Sequence, residues 1–163
     1  MISIQPKWCE LIVNGKKTIE VRKTKPKLET PFKVYIYETK GYDTLLGKGK
    51  PKKLCVSGGR VIGEFICDKI IDCRDIHGQA FFTLSCMSLK EWMKYTEGHK
   101  GTLWAWHISN LVIYDKPREL GEFRKPIACH RGNDRENCIG CWDCEIKRPP
   151  QSWCYVEGGE NDG

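Results

Sequence analysis

The chain opens on a helical apolar stripe that stops at Asn14-Gly15 and gives way at once to a two-residue alternation. Pro6 suits the first turn of a helix, and Trp8, Leu11 and Ile12 repeat at i, i+3 and i+4. A short amphipathic helix is therefore expected, running from Pro6 into Asn14 and closed by Gly15. From Thr18 to Lys23 the period drops to two. Ile19 and Val21 fall on one face and Thr18, Glu20 and Arg22 on the other, which predicts a half-buried strand. Lys17 stands in the turn between them. Glu20 and Arg22 are two apart and so leave the strand on the same side. A helix end, a turn and three charges are thus gathered in one short stretch.

Further on, Phe32 to Tyr37 reads as a second strand. Residues 39–58 are rich in Lys and Gly with little periodicity, and are expected to be a long, exposed, basic loop of the kind that often carries function. Gly59 to Cys73 reads as a strand bent at Gly63. Ser88 and Glu91 form a capping-box signature ahead of a helix, with Leu89, Trp92, Met93 and Thr96 facing the core. Trp104 to Tyr114 is a long strand or a strand pair, ended by Lys116-Pro117. There is no internal repeat and no coiled-coil heptad. One helix, several strands, a second helix and further strands predict an α+β fold, a compact mixed barrel rather than alternating βαβ units.

A chain of 163 residues with 40% hydrophobic content supports one domain, or one domain with a small appendage. Residues 1–127 carry 23 Lys/Arg against 14 Asp/Glu, whereas residues 128–163 carry 4 against 7. The body is basic and the tail mildly acidic. A basic body favours an anionic partner, nucleic acid being the commonest, although a well-solvated surface has the same composition. The N-terminal stretch lacks a basic lead and a long apolar run, and no segment approaches the ~20 apolar residues of a membrane span. A soluble, cytoplasmic protein that does not enter membranes is expected.

Three segments carry a family resemblance: G-K-K-T-I-E-V-R at Gly15 to Arg22, GRVIGEFICDKI at 59–70, and WAWHISNLVIYDKPREL at 104–120. In this order they resemble the ASCH domain, a branch of the PUA-like superfamily, over roughly residues 1–125. The chain is similar to small ASCH proteins of phages and gut bacteria, some of which also share its RPPQSWCYVE ending. The resemblance implies a small PUA-like β-barrel flanked by two or more helices, with a cleft beside the first helix that takes RNA or a modified nucleotide. Some relatives are enzymes, an acetylcytidine amidohydrolase and a ribonuclease among them. Lys17 falls on the family's cleft lysine, Thr18 on the threonine after it and Arg22 on the strand arginine. In the amidohydrolase branch, a nucleophilic threonine stands at the position of Glu20. Glutamate is not that nucleophile, but it is a candidate general base.

The chemistry of that stretch agrees with an anionic ligand. Lys17 and Arg22 suit a phosphate, Glu20 an acceptor role toward a base edge or 2′-hydroxyl, and Trp8 a stacking surface. The alternative is a solvated ion-pair network with Trp8 in the core. His107 lies mid-strand in WAWHIS. It is either structural or, if its strand borders the cleft, a ligand contact able to move protons near neutral pH; Ser109 and Glu64 are weaker candidates.

The tail, residues 126–163, holds Cys138, Cys141, Cys144 and Cys154, the first three as overlapping C-x₂-C units. That spacing suits a tetrahedral zinc bound by four thiolates, structural because no position is left for water. Cys129 and His130 are reserve ligands. An iron–sulfur cluster or a reduced, disordered tail are the alternatives. Among the body cysteines, Cys9, Cys67 and Cys86 sit among apolar residues and read as small buried hydrophobes.

Three function classes follow. The first is a module binding RNA or a modified nucleotide. The second is a small hydrolase of RNA or a modified nucleoside, with Lys17 as oxyanion partner and Glu20 as base. The third is a phage protein that binds a host protein. The oligomeric state is left open.

Overall fold

The computed structural model describes residues 1–45, 52–126 and 144–157. Its elements run β1 (Ile2–Ile4), α1 (Pro6–Val13), β2 (Ile19–Arg22), β3 (Phe32–Glu38), β4 (Gly41–Leu45), β5 (Lys52–Ser57), β6 (Arg60–Cys67), β7 (Ile70–Asp72), α2 (Gly78–Ser85), α3 (Leu89–Thr96), β8 (Trp104–His107) and β9 (Ser109–Arg118). Among the described residues the fold is α+β, with three α-helices and mixed sheets. The strands form three sheets in the orders β1-β3-β6-β9, β2-β8-β7 and β4-β5. β1 runs parallel to β3, while β2–β8, β7–β8 and β4–β5 are antiparallel. The expected single barrel is therefore corrected, since no closed ring of strands occurs among the described residues. Pro26 and Pro31, which cannot donate to a ladder, stand between β2 and β3, and the chain changes sheet there.

The chain forms two compact units, Met1–Pro6 with Tyr35–Gly63 and Tyr114–Gly163, and Lys7–Val34 with Glu64–Ile113. In the first, Met1, Tyr35, Tyr37, Val61, Phe123 and Ile146 make the core, and the Tyr35 and Phe123 rings meet edge-on at 4.9 Å. The described end of the tail lies along β1. The Ser3 amide donates to the Ser152 carbonyl at 2.9 Å, the Cys154 amide to the Met1 carbonyl at 2.9 Å, and Ile2 bridges Trp153.

The second unit is built on the alternation of β2. Ile19 and Val21 turn inward with Ala105, Cys73, Leu103 and Phe81, and Trp92 and Tyr95 of α3 pack on that cluster. Facing side chains of β2 and β8 are set by their register, which pairs Ile19 with His107, Glu20 with Trp106, Val21 with Ala105 and Arg22 with Trp104.

Several expectations change. The Lys/Gly-rich stretch is not a continuous loop, for it holds the β4–β5 hairpin, with residues 46–51 outside the described set. The 59–73 strand is unbroken at buried Gly63 and divides at Asp68-Lys69 instead. β9 continues through Pro117, which a strand at the end of its sheet tolerates. In α3 the capping box of Ser88 and Glu91 is present, but Leu89 and Met93 are 62% and 63% exposed, so the inward face is Trp92 and Tyr95. Cys9 and Cys67 are buried as expected, whereas Cys86 is half-buried at the end of α2 with φ of 55°.

Among the described residues, no helix is long and apolar enough to cross a membrane.

Candidate nucleic-acid interface

The end of α1 determines where Lys17 goes. Gly15 takes φ of 67°, and the Lys16 and Lys17 amides both donate to the Leu11 carbonyl, at 2.9 and 3.0 Å. This turns the chain back on the helix end just before β2 starts. The Thr18 amide then donates to the Leu84 carbonyl at 2.9 Å, which fastens β2 to the last turn of α2. The Lys17 ammonium donates to the Ser85 carbonyl at 2.8 Å. A cation at the carboxyl end of a helix is favourable because unpaired carbonyls concentrate there.

Glu20 joins the two cations of the stretch. Its Oε2 lies 3.2 Å from Lys17 Nζ and its Oε1 3.0 Å from an Arg22 guanidinium nitrogen. Lys17, Glu20 and Arg22 are 3%, 7% and 9% exposed, so the trio is a buried, preorganised network and not a solvated one. It carries one net positive charge. The Thr18 hydroxyl beside it is buried without a hydrogen-bond partner among the described residues. Trp8 is half-buried, and the Lys17 ammonium lies 5.0 Å from its ring centre. Lys7 sits over the same ring at 4.4 Å, and its ammonium also pairs with Glu91.

Four of the sequence-predicted residues (Lys17, Glu20, Arg22 and Trp8) are linked in this way, with Thr18 adjoining them. His107 is placed elsewhere. Its register partner is Ile19, so it leaves the sheet on the face opposite Glu20 and Arg22. There Nδ1 meets Asp68 Oδ1 at 2.6 Å, and that hydrogen bond holds the Asp68 carboxyl below its ordinary range. Ser109 donates to the Ile66 carbonyl at 2.8 Å, and Glu64 pairs with Lys33 at 2.9 Å.

The Glu20/Arg22 face carries Trp106 and Trp104 instead. Trp106 is buried against the edge of Phe32, with ring centres 5.8 Å apart. Half-buried Trp104, opposite Arg22, is covered by Lys25 at 4.0 Å, and Lys23 covers Tyr95 at 5.1 Å. The Tyr95 hydroxyl donates to the Val21 carbonyl at 3.2 Å, tying that ring to β2. Sequence reasoning missed these lysines and Tyr95. The signal for them was the alternation of Lys23, Lys25 and Lys27 just after the strand. A separate cavity of about 330 Å³ is lined by Cys73, Arg74, Trp92 and Lys100 to Leu103, and by none of the residues predicted as a site.

Of the predicted zinc ligands, Cys138 and Cys141 lie outside the described residues, as do the reserves Cys129 and His130. Cys144 is buried, and its carbonyl accepts the Lys125 amide at 2.8 Å. Cys154 is half-buried against the core of the first unit, and burial pushes its thiol up from its ordinary value. No group of three or more potential metal ligands occurs among the described residues.

Comparison with known proteins bears on this geometry. The ASCH domain family profile matches residues 2–118. Crystal structures of ASCH from Zymomonas mobilis share the fold. One is 22% identical with a TM-score of 0.53, over 73% of this chain and 71% of that one. A single-substitution variant of the same protein is 21% identical with the same TM-score, over 73% of each chain. Comparison with curated protein sequences returns no match.

Proposed function

The chain belongs to the ASCH domain family, and from that premise we propose that it binds RNA or a nucleotide-like ligand along the Lys17–Glu20–Arg22 face of β2. The observation that carries this reading is the buried trio, two cations sharing one carboxylate beside the half-buried ring of Trp8. Holding charges in a site of low water content before a ligand arrives makes their attraction for phosphate stronger than the same charges would have in bulk water. The PUA-like character of ASCH domains, the basic body and the lysines around β2 point the same way. A cytoplasmic place of action is part of the same proposal.

The test is fluorescence anisotropy with short labelled RNAs at micromolar protein. Salt-sensitive binding is expected. Trp8→Ala should weaken it about tenfold, as loss of one stacked base does. No binding to any RNA would remove the reading.

The hydrolase reading rests on the contact of Lys17 with Glu20. It ranks second because both Glu20 oxygens are already engaged by cations. Turnover of RNA or of acetylated cytidine that vanishes in Lys17→Ala and Glu20→Ala would put it first. A host-protein partner, the third class, finds no specific support in the geometry.

For the tail we infer that residues 126–163 form an appendage to the 1–125 domain, held by one structural zinc through Cys138, Cys141, Cys144 and Cys154. Thiolate chemistry suits that metal, and a segment so polar gains folding energy from it. Metal analysis of purified protein should give one zinc per chain, lost in Cys138→Ser. Protein that is fully folded and zinc-free would contradict this.

A further inference from the structure

We propose that the β2 face carries a second aromatic station, Trp104 under Lys25, so that the ligand is a single strand several nucleotides long and not a free nucleotide or a duplex. The inference rests on the reading of this face as a nucleic-acid site and specifies its ligand.

Among the described residues of this unit, Lys7 and Lys17 lie over Trp8, Lys25 over Trp104 and Lys23 over Tyr95. Tyr95 packs with Ile19 and Val21 on the other side of the sheet, and the remaining pairs fall into two groups. Trp8 lies against Lys17, just before β2 begins. Trp104 lies opposite Arg22, the last residue of the strand. The groups are therefore separated by the length of β2, which has four residues, or about 10 Å at the usual rise of a strand. Between them lie Glu20 and Arg22, both on the face that Trp104 and Trp106 share. Residues 7–34 hold eight Lys/Arg against three Asp/Glu, and Lys23, Lys25 and Lys27 are all exposed.

Aromatic rings interleaved with lysines along one line are what an unpaired strand requires. Each base has a face to stack, and each phosphate needs a mobile cation. An exposed ammonium over a ring is held more weakly than a stacked base. A base can therefore take the place of the Lys25 ammonium on Trp104, and the released lysine can turn to the backbone. A duplex offers no free base faces, so it gains only the phosphate contacts. A mononucleotide reaches one station at a time.

The experiment compares uridine monophosphate, decauridylate and a ten-base-pair RNA duplex by competition against labelled decauridylate. The proteins are the unmodified chain, Trp104→Leu, Lys25→Ala and Trp8→Ala, with circular dichroism to verify folding. Decauridylate should bind at least about tenfold more tightly than the mononucleotide and the duplex. Trp104→Leu should remove most of that gain from length, and Lys25→Ala part of it. If Trp8→Ala weakens binding while Trp104→Leu and Lys25→Ala change nothing, the second station is wrong and the proposed function stands. If the duplex competes better than decauridylate, the single-strand assignment is wrong. If the unmodified chain binds none of the three, both readings fail.

Discussion

Glu20 is wedged between two cations, so truncating it leaves Lys17 and Arg22 as like charges in a site that largely excludes water. Breaking a buried ion pair by removing one partner commonly costs about 3–5 kcal/mol, because the remaining charge keeps its desolvation penalty. Glu20→Ala should lower unfolding stability in urea by an amount in that range, and Glu20→Gln by less, since an amide still accepts a hydrogen bond. Unchanged stability for Glu20→Ala would mean that water reaches the trio. At this scale the β2 face was legible, because strict alternation from Thr18 to Lys23 fixes which side chains travel together. His107 was not. Whether it joins Glu20 or opposes it depends on strand register, and a shift of one residue exchanges the two faces. The register pairs it with Ile19, which leaves it with Asp68.

Among the elements, the start of α3 agrees with the sequence pattern, and so does Trp92 on its inward face, whereas Leu89 and Met93 do not. The capping box needs only a local pattern, Ser88 and Glu91, and both hydrogen bonds form. The inward face depends on what the helix packs against, and here the rings of Phe81 and Trp92, with centres 4.6 Å apart, decide it over the aliphatic Leu89 and Met93. The β4–β5 hairpin escaped notice because its lysines and glycines mask any alternation. Pro117 looked like a terminator although β9, last in its sheet order, accommodates it. The start of α3 also gives a pH signature. Hydrogen bonds from Lys7 and then from the Ser88 amide and hydroxyl hold the Glu91 carboxyl at about 2, down from its ordinary 4.5. Folding therefore favours the ionised form, so its contribution is fully present above about pH 4.5 and is lost as the pH falls toward 2. Thermal melts across that window should fall more steeply for the unmodified chain than for Glu91→Gln. Parallel curves would show that the cap contributes nothing there.

For the whole molecule, sequence pattern was enough for the α+β class, while the family resemblance carried the ASCH assignment. It was not enough for the sheet partition, since strands that follow one another in sequence belong to three sheets. The described end of the tail was only partly legible. The backbone hydrogen bonds that join Ser152 and Cys154 to the start of the chain involve groups that no side-chain pattern announces. Charge was the most direct guide to a partner, and the structure concentrates exposed lysines around one strand with aromatic rings beneath them. The central claim, that this face binds nucleic acid through phosphate contacts, is tested most directly by the salt dependence of the dissociation constant for decauridylate. Two to four phosphate contacts predict that log affinity falls linearly with log salt, with a slope of about −1.4 to −2.8 for a single strand. Undetectable binding at low salt, or binding whose strength does not change with salt, would contradict the account.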